Sequence, residues 1–441
     1  MNSLSDKIGL ALRTYYHSYK AVRRQFIPEQ IVNTQNTKLR KLINYSYNNI
    51  KYYHELFDEN NIKPSNIKTV TDLVNIPILT KKKLRERFWD FLPRYLPQCR
   101  VSRTSGSTGI PICLFSDNNS RLYNSAAVVR YRSALEIRFL GGAILTPLKT
   151  ETELHKRPHW TFLQGIHKTF YVNPYTDQDI EVEYAIKIMR RLKKHAVIGI
   201  TSAIKAMAYR IRDGIFPSVK PSAVLTTGEY LDSKVRELLE ETFATKITDI
   251  YACNEAGDIA WQCRRANGYH VNADNCVIEI LKNNKPVEEG QTGEVVITNL
   301  NRYSTPFIRY KNGDLATFTQ GLCPCGSKLP IISEVVGRTG EDVFLPSGKT
   351  IPWNQLKGLM NHPQIRQFQL VQNKNGSILV KYIPERNSNI QEIEKLLKFR
   401  FTNLLQNSIK VKFLKVNKIT PSSSGKSKLV VSNYKPQFAK I

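Results

Sequence analysis

Hydrophobic and polar positions divide the chain into a helical start, an alternating middle and a compact tail. Residues 39–53 repeat Leu, Ile and Tyr at helical spacing, so 28–100 is predicted to be mostly helical, with a further helix beginning at Lys81. From 101 to 332, short apolar runs alternate with helical patterns, which is typical of an α/β sheet.

The middle region offers six candidate strands. Four apolar runs predict strands of the α/β sheet, at 142–148, 196–200, 223–227 and 246–251. Two more runs predict strands of a β-rich subdomain, at 293–298 and 305–309.

The tail has the pattern of a small α+β domain of about 100 residues. Its predicted elements are strands at 367–371, 378–382 and 409–414 and a helix at 390–405. A chain of 441 residues exceeds a single ordinary core, so at least two domains are expected. We predict an α/β fold with a large multi-subdomain N-terminal domain at 1–336, whose helical start covers 1–100, and a small mobile α+β domain at 337–441.

Composition favours a packed globular protein, since 41% of the residues are hydrophobic and there are 21 Tyr and 18 Phe. No uninterrupted apolar run reaches the ~18 residues of a transmembrane helix. The apolar run at 8–12 is followed by Arg13 and is too short for a secretory signal. A cytoplasmic location is therefore expected.

The formal net charge of +28 attracts anions such as ATP, pyrophosphate, coenzyme A, nucleic acid or anionic lipid. The basic runs at 81–83 and 190–194 are short, and no nucleic-acid-binding module is recognisable, so no nucleic-acid partner is expected. A biased Lys- and Asn-rich composition is the preferred explanation of the charge. Residues 7–26 are interpreted as a helix packed on the large domain, with a membrane-surface helix as the alternative. Oligomer formation stays open.

A cluster of hydroxyl residues and glycines follows Arg103. It consists of Thr104, Ser105, Gly106, Ser107, Thr108 and Gly109. Such a segment favours a flexible loop whose N–H and hydroxyl groups wrap a polyphosphate. It is not a Walker A loop, because no Lys follows its second glycine. Most Ser/Thr/Gly clusters are ordinary surface loops, so the interpretation depends on the motifs downstream.

Residues 103–111 resemble the phosphate-binding loop, T-S-G-S-T-G-x-P, of the adenylate-forming (ANL, acyl-CoA synthetase-like) superfamily. Five further segments resemble its later motifs in the expected order. They are T-T-G-E-Y-L at 226–231, I-Y-A-C-N-E at 250–255, I-R-Y-K-N-G-D-L at 308–315, G-R at 337–338 and P-S-S-S-G-K-S-K at 421–428. The start of the chain, with I-P-I-L-T-K at 76–81, resembles phenylacetate–CoA ligase-like proteins and those encoded in capsular-polysaccharide loci.

The resemblance implies roles for individual residues. Tyr251 would stack on adenine, Glu255 would bind Mg²⁺ and Asp314 would hold the ribose hydroxyls. The other implied nucleotide-binding residues are the loop 104–109, Gly228, Glu229, Asn254 and Arg309. Arg338 would mark the interdomain hinge, and Lys426 would be the catalytic lysine.

The chain departs from the family pattern at several positions. Ala252 and Asn254 stand where Gly and Thr are usual, and Lys311-Asn312 replaces Arg-Thr. The hinge acid is either Glu341 or Asp342. No charged residue that the chemistry requires is lost.

The implied chemistry has a physical reason in these residue types. A carboxylate attacks the α-phosphate of ATP and pyrophosphate leaves, so fixed cations and Mg²⁺ lower an electrostatic barrier between two anions. Lys426 lies in a Ser-rich segment with Gly425 and carries a compact charge on a flexible stem. A solvated surface lysine is the alternative. The segment is not a Walker A loop, because Thr420 replaces the first glycine.

Cysteine usage predicts a metal site. Seven cysteines, an odd number, argue against a disulfide framework. The Cys323-Pro-Cys325 turn suits a tetrahedral metal, and Cys263 and His270 could complete a structural Cys₃His zinc site. The phenylacetate–CoA ligase-like resemblance supports this set, and the zinc-bearing insert is placed around 253–325. Free thiols with a surface His, or Cys276 in place of His270, are the alternatives.

Three classes of function follow. The first is an AMP-forming acid–thiol ligase that makes an acyl-CoA from a small carboxylic acid. The second is an adenylating acyltransferase with a non-CoA acceptor in capsular or surface polysaccharide biosynthesis. The third is a non-enzymatic nucleotide- or anionic-surface-binding protein, against which the intact residues Glu255, Asp314, Arg338 and Lys426 argue. No coenzyme A motif is recognisable, and the acid pocket is expected near 131–160, Thr201 and Tyr251.

Overall fold

The chain forms two compact units, Met1–Val336 and Gly337–Ile441. The computed structural model describes residues 4–103, 112–137, 140–147, 159–161, 166–174, 186–187, 190–191, 195–265, 268–338, 343–347, 350–351, 353–360, 362–406, 408–419 and 429–434. Each unit is described below by itself.

The first unit begins with helices, as its hydrophobic periodicity predicts. Its helices are α1 (Leu4–Arg24), α2 (Pro28–Asn49), α3 (Lys51–Glu59), α4 (Lys81–Glu86), α5 (Asn118–Ala134), α6 (Thr201–Arg212) and α7 (Ser233–Phe243). Three-residue to six-residue 3₁₀ turns at Pro64–Asn66, Val70–Asn75 and Phe88–Phe91 join the early helices to the rest of the unit.

The helical pattern at 39–53 does not form one helix. Ile50 has an extended backbone, with φ −118° and ψ 110°, and separates α2 from α3. Its side chain is buried, and its carbonyl accepts hydrogen bonds from Tyr53 N and His54 N at the start of α3. Because the apolar side chain of Ile50 is buried at the break, the hydrophobic periodicity continues from α2 into α3. Periodicity alone therefore does not reveal that α2 ends here.

The structure describes fifteen strands that begin in the first unit. They are β1 (Cys99–Arg103), β2 (Cys113–Asp117), β3 (Leu140–Pro147), β4 (His159–Thr161), β5 (Ile166–Val172), β6 (His195–Ile200), β7 (Ala223–Thr227), β8 (Ile247–Cys253), β9 (Gly257–Trp261), β10 (Tyr269–Val271), β11 (Cys276–Lys282), β12 (Lys285–Pro286), β13 (Thr292–Asn299), β14 (Tyr310–Phe318) and β15 (Ile331–Arg338). All but β1 and β2 join one sheet, in the order β12–β11–β13–β14–β15–β10–β9–β8–β7–β6–β3–β5–β4.

The sheet has a parallel part and an antiparallel part. Strands β5, β3, β6, β7 and β8 pair in parallel. Helix α6 connects β6 to β7 and α7 connects β7 to β8, as the crossover between parallel neighbours requires. Strands β8 to β11 and β13 contribute antiparallel pairs. The α/β fold predicted from alternating patterns is confirmed, including the strands predicted at 142–148, 196–200, 223–227, 246–251 and 293–298.

The strand predicted at 305–309 is wrong. These residues are irregular, and β14 begins only at Tyr310. Two features prevent a strand here: Arg309 has a left-handed backbone with φ 48°, and the Tyr53 hydroxyl replaces ladder hydrogen bonds. That hydroxyl donates to Pro306 O at 3.0 Å and accepts from Ile308 N at 3.0 Å.

Hydrophobic clusters hold the helical start and the sheet together. Tyr53, Phe57 and Phe91 of the start pack in one buried cluster with Phe307 and Tyr310 beside β14. A second buried cluster includes Val197 and Val224 of the parallel strands together with Phe243 of α7. The start is therefore part of the core of the first unit.

The second unit has the small α+β pattern that the tail predicts. Its helices are α8 (Trp353–Met360) and α9 (Ile390–Leu405), and its strands are β16 (Val343–Phe344), β17 (Thr350–Ile351), β18 (Ile365–Gln372), β19 (Ile378–Pro384), β20 (Val411–Lys415) and β21 (Val430–Ser432). Four of these strands form a sheet in the order β20–β19–β18–β21. Residues Ile393, Leu397 and Phe401 lie on the buried side of α9.

Within the part of the chain that the structure describes, no helix combines the length and the apolar character needed to cross a membrane.

We expect Tyr53→Phe to destabilise the first unit by about 1–3 kcal/mol, because the buried Ile308 N–H loses its acceptor. Urea unfolding followed by tryptophan fluorescence measures the change. Tyr52→Phe is the matched control, since the Tyr52 ring is buried beside Phe91 and its hydroxyl has no hydrogen bond among the described residues. Equal destabilisation by the two variants would contradict the role of the Tyr53 hydroxyl.

Candidate functional site

Two predicted site elements lie outside the described residues. The loop 104–109 is one, and Lys426 is the other. The hinge acids Glu341 and Asp342 and part of the predicted acid pocket, at 148–158, also lie outside. Arg338 ends β15, and its side chain is not among those described.

The strands that flank the loop 104–109 are described, and they pair with each other. Strands β1 and β2 are antiparallel, with Arg103 opposite Cys113. Asp117 ends β2 and caps α5 by accepting from Ser120 N at 2.7 Å. Its second carboxylate oxygen accepts from Tyr303 N and Ser304 N, both at 2.9 Å. Asp117 thus joins the strand pair β1–β2, which flanks the candidate phosphate loop, to the segment before β14.

Tyr251, Asn312 and Asp314 form one hydrogen-bonded cluster. The Tyr251 hydroxyl donates to Asp314 Oδ2 at 2.7 Å and accepts from Asn312 Nδ2 at 2.8 Å. Asn312 Nδ2 also donates to Asp314 Oδ2 at 2.6 Å. Burial, followed by the Asp314 charge, raises the pKa of Tyr251 well above its ordinary value, so the hydroxyl remains a donor. The predicted adenine and ribose residues are therefore neighbours.

Glu255 lies in the turn between β8 and β9, four residues after Tyr251 in the sequence. Its side chain is buried, and the Tyr310 hydroxyl donates to Oε1 at 3.3 Å. The Asn299 amide donates to the carbonyls of Glu255 and Ala256. The turn requires Gly257, because φ is 74° and an added Cβ would lie 2.4 Å from Asn124 Oδ1. A buried carboxylate held in this way suits a divalent cation.

Glu229 follows Gly228, whose φ of 78° favours glycine. The Glu229 carboxylate accepts from Ser202 N at 2.7 Å and from Ser202 Oγ at 3.1 Å. It therefore lies at the N-terminus of α6, where a negative charge is stabilised by the helix dipole. The structure thus gives Glu229 a capping contact in addition to its predicted place on the adenine side.

Arg309 requires a correction. The resemblance implied that it binds the nucleotide, but its guanidinium is buried and makes two hydrogen bonds to Glu279, at 3.0 and 2.7 Å. Its Nη1 donates to the carbonyls of Val74 and Ile76, at 3.1 and 2.6 Å. Because these contacts engage all three guanidinium nitrogens, Arg309 connects the helical start to β14.

Arg302 is a buried cation near the site that sequence reasoning missed. Its Nη2 donates to Asn254 O at 3.0 Å and to Ser116 Oγ at 3.2 Å. Nε and Nη1 have no partner among the described residues. Burial lowers the Arg302 pKa, while the nearby Cys253 and Glu255 oppose the shift. No motif marks Arg302, and only the fold reveals that it joins the β1–β2 hairpin to Asn254.

Cys263, His270, Cys323 and Cys325 come together as predicted. Their ligand atoms all lie within 4.8 Å of one another. Cys263 Sγ is 3.5 Å from Cys323 Sγ, and Cys325 Sγ is 3.5 Å from His270 Nε2. With Zn–S bonds of ~2.3 Å, two sulfurs on a tetrahedral zinc lie about 3.8 Å apart. The four residues fit a tetrahedral ion with no open position.

The protonation of this cluster is consistent with a metal-binding role. Burial lowers the pKa of His270 to about 4, which keeps the imidazole neutral and able to coordinate a metal through nitrogen. Burial raises the pKa of Cys263 to about 12, so three thiolates here would need a cation to balance them. Cys276 is not part of the cluster, because its thiol faces the carbonyls of Ile259 and Asn272.

Comparison with known proteins finds similar proteins over nearly the whole chain. Residues 346–433 match the family described as the CapK C-terminal domain. The chain is 22% identical to Protein CapK of Staphylococcus aureus, over 99% of this chain and 96% of that protein. It is 23% identical to the phenylacetate-coenzyme A ligase of Thermus thermophilus, over 79% and 80% of the two chains.

A solved structure matches most of the fold. The crystal structure of 2-hydroxyisobutyryl-CoA ligase in the postadenylation state has a TM-score of 0.72, at 19% identity, and the match covers 90% of this chain and 89% of that one. Over most of its length the chain is similar in sequence to Protein CapK and to phenylacetate-coenzyme A ligases, and it has the fold of the adenylate-forming ligases. The family resemblance stated from the motifs is thereby confirmed.

We expect purified protein to contain about one zinc per chain, because the four ligand atoms match a closed tetrahedral site. Cys325→Ser should lower both the zinc content and the thermal stability, since a structural ion contributes directly to folding. Mass spectrometry of metals and thermal unfolding measure the two effects.

Cys113→Ser is the control for the zinc experiment, because Cys113 lies in β2 and outside the cluster. It should leave the zinc content unchanged. Fully folded protein that contains no metal would exclude the zinc site.

Proposed function

We propose that the protein is an AMP-forming acid–thiol ligase, which activates a carboxylic acid as its adenylate and transfers the acyl group to coenzyme A. The contact between Tyr251, Asn312 and Asp314 is the observation that carries the proposal, because it joins two separate motifs of the implied nucleotide site. The similarity to phenylacetate-coenzyme A ligases and to 2-hydroxyisobutyryl-CoA ligase supports the same activity.

In the proposed reaction, Tyr251 stacks on adenine while its hydroxyl keeps Asp314 oriented toward the ribose. The loop 104–109 would hold the phosphates, and β2, the strand that follows it, is joined through Asp117 to Tyr303 and Ser304. Residues Gly228, Glu229 and Asn254 lie on the adenine and phosphate sides. The buried Glu255 would hold Mg²⁺, which supplies charge neutralisation at the phosphates.

Lys426 is proposed to supply the cation that stabilises charge as the substrate carboxylate attacks the α-phosphate. Pyrophosphate leaves, and the acyl-adenylate then reacts with a thiol, which forms the thioester and releases AMP. A hinge at Arg338 would allow the second unit to move between the adenylation step and the thioester-forming step. Exclusion of water would protect the mixed anhydride from hydrolysis.

A second candidate differs only in the acceptor. It is an adenylating acyltransferase with a nucleophile other than coenzyme A, in capsular or surface polysaccharide biosynthesis, and it is kept because the chain is similar to Protein CapK over almost its whole length. The adenylation half-reaction is common to both candidates.

Acid-dependent ATP–pyrophosphate exchange tests the common step. We expect exchange with Mg²⁺ and one class within a panel of aryl, hydroxy, amino and fatty acids. Adding coenzyme A or an amine-bearing sugar to the exchanging mixture then identifies the acceptor, through the thioester or amide formed. Protein that binds neither ATP nor any acid would favour the non-enzymatic alternative.

Asp314→Ala should raise the KM for ATP about 10- to 100-fold, because a charged acceptor of ribose hydroxyls is lost. Exchange rates at varied ATP concentration measure the effect. Asp58→Ala removes an exposed carboxylate from α3 and is the control, with an unchanged KM expected. If both variants keep the original KM, Asp314 does not bind the ribose.

Lys426→Ala should reduce the exchange rate about 100-fold or more, with little effect on folding, because the loss is confined to transition-state charge stabilisation. Lys428→Ala removes a second lysine from the same segment and should retain most activity. Near-normal exchange by Lys426→Ala is the result that excludes it as the catalytic lysine.

A further inference from the structure

Helix α1 packs on the body of the first unit through small and polar residues. Thr14, Ser18, Ala21 and Gln25 recur at intervals of four, three and four residues, and all four are buried. Thr14 is 1% exposed and Ser18 is 2% exposed. The partner of this face is α5, whose buried residues include Ser125, Ala126 and Ala127. Small side chains on both sides allow the two helices to approach closely.

The opposite face of α1 carries the large apolar side chains. Leu12, Tyr16 and Tyr19 lie at helical spacing on this side and are 65%, 52% and 51% exposed. Tyr15 and Phe26 are also exposed, the latter just after the helix ends. A surface helix ordinarily turns its apolar stripe toward the core. From Leu12 onward α1 does the reverse, so its outer face exposes hydrophobic area that another surface could cover.

The charge on the outer face has one sign. Arg13, Lys20 and Arg23 are exposed beside the aromatic residues. Lys20 Nζ lies 4.3 Å from the centre of the Tyr16 ring, and Arg23 Nη1 donates to the Tyr19 hydroxyl at 2.7 Å. The sequence from 12 to 27 contains no Asp or Glu. The outer face of α1, defined as Leu12, Tyr15, Tyr16, Tyr19 and the cations Arg13, Lys20 and Arg23, is therefore both apolar and cationic.

The positive charge of the outer face favours an anionic partner over a second copy of the chain. Two copies of the chain joined through their outer faces would bring like charges together, which is unfavourable. An anionic lipid surface offers the opposite charge, along with an interfacial layer in which Tyr, Phe and Leu side chains are stable. The net charge of +28 adds long-range attraction to such a surface.

We infer that the outer face of α1 binds the surface of membranes that contain anionic phospholipid. The aromatic residues and Leu12 enter the headgroup region, while Arg13, Lys20 and Arg23 pair with lipid phosphates. Because the face toward α5 stays packed, the helix binds without leaving the protein. The inference concerns a surface that no step of the proposed reaction uses.

Co-sedimentation with vesicles tests the inference. We expect the full chain to bind vesicles of phosphatidylcholine mixed with phosphatidylglycerol much more tightly than vesicles of phosphatidylcholine alone, with weaker binding at higher salt. Replacing Arg13, Lys20 and Arg23 together by Gln should weaken binding to the mixed vesicles about a hundredfold.

Two matched controls separate the outer face from general charge and hydrophobicity. Replacing the exposed residues Lys41, Lys63 and Lys285 by Gln removes the same charge elsewhere and should change binding little. Tyr16→Ser with Tyr19→Ser should weaken binding without a change in charge, whereas Phe399→Ser, at an exposed Phe on α9, should not. Thermal unfolding checks that each variant is folded.

Three results would overturn the inference. They are absence of binding to the mixed vesicles, equal loss in the two triple variants, and a dimer in light scattering that the Tyr16 and Tyr19 changes dissociate. The last result would assign the outer face to a second copy of the chain. Because the readout is vesicle binding, its failure leaves ATP–pyrophosphate exchange, and hence the proposed activity, unaffected.

Discussion

The ion pair between the buried Arg309 and the half-buried Glu279 fixes the strand that carries Asn312 and Asp314. A buried guanidinium is costly unless its donors are satisfied, and here Glu279 and the carbonyls of Val74 and Ile76 accept from it. The backbone of the same segment pairs with Leu79, whose N–H donates to Arg309 O. The helical start and β14 are therefore joined immediately before Tyr310, Asn312 and Asp314.

Sheet curvature then brings distant strands together. In the sheet order, β15, β10 and β9 lie between β14 and β8, yet Tyr251 of β8 contacts Asp314 of β14 at 2.7 Å. A flat sheet would separate these strands by several spacings of ~4.8 Å each. The sheet must therefore bend between β8 and β14, and Tyr251 and Asp314 meet across that bend.

The cluster of Cys263, His270, Cys323 and Cys325 lies on some of the same strands. Cys263 follows β9, His270 lies in β10, and Cys323 and Cys325 lie between β14 and β15. Since β9, β10, β15 and β14 are neighbours in the sheet, the four ligand atoms come from adjacent strands and the connections beside them. A closed metal site here would join the loop before β15 to the β9–β10 connection, close to the strands that carry Tyr251 and Asp314.

Local sequence patterns predicted the α/β fold, eight of the twenty-one described strands, α9 and the order of the motifs, because hydrophobic periodicity and glycine-rich turns are local properties. It also identified the four cluster residues, since Cys and His at these spacings suit few other roles. The three-dimensional fold was needed to show that Arg309 bonds to Glu279 and to backbone carbonyls, and that Arg302 is buried beside Asn254. It was also needed to show that 305–309 is irregular and that α1 exposes large apolar side chains. Each of these depends on partners tens to hundreds of residues away, and local sequence carries no signal for such contacts.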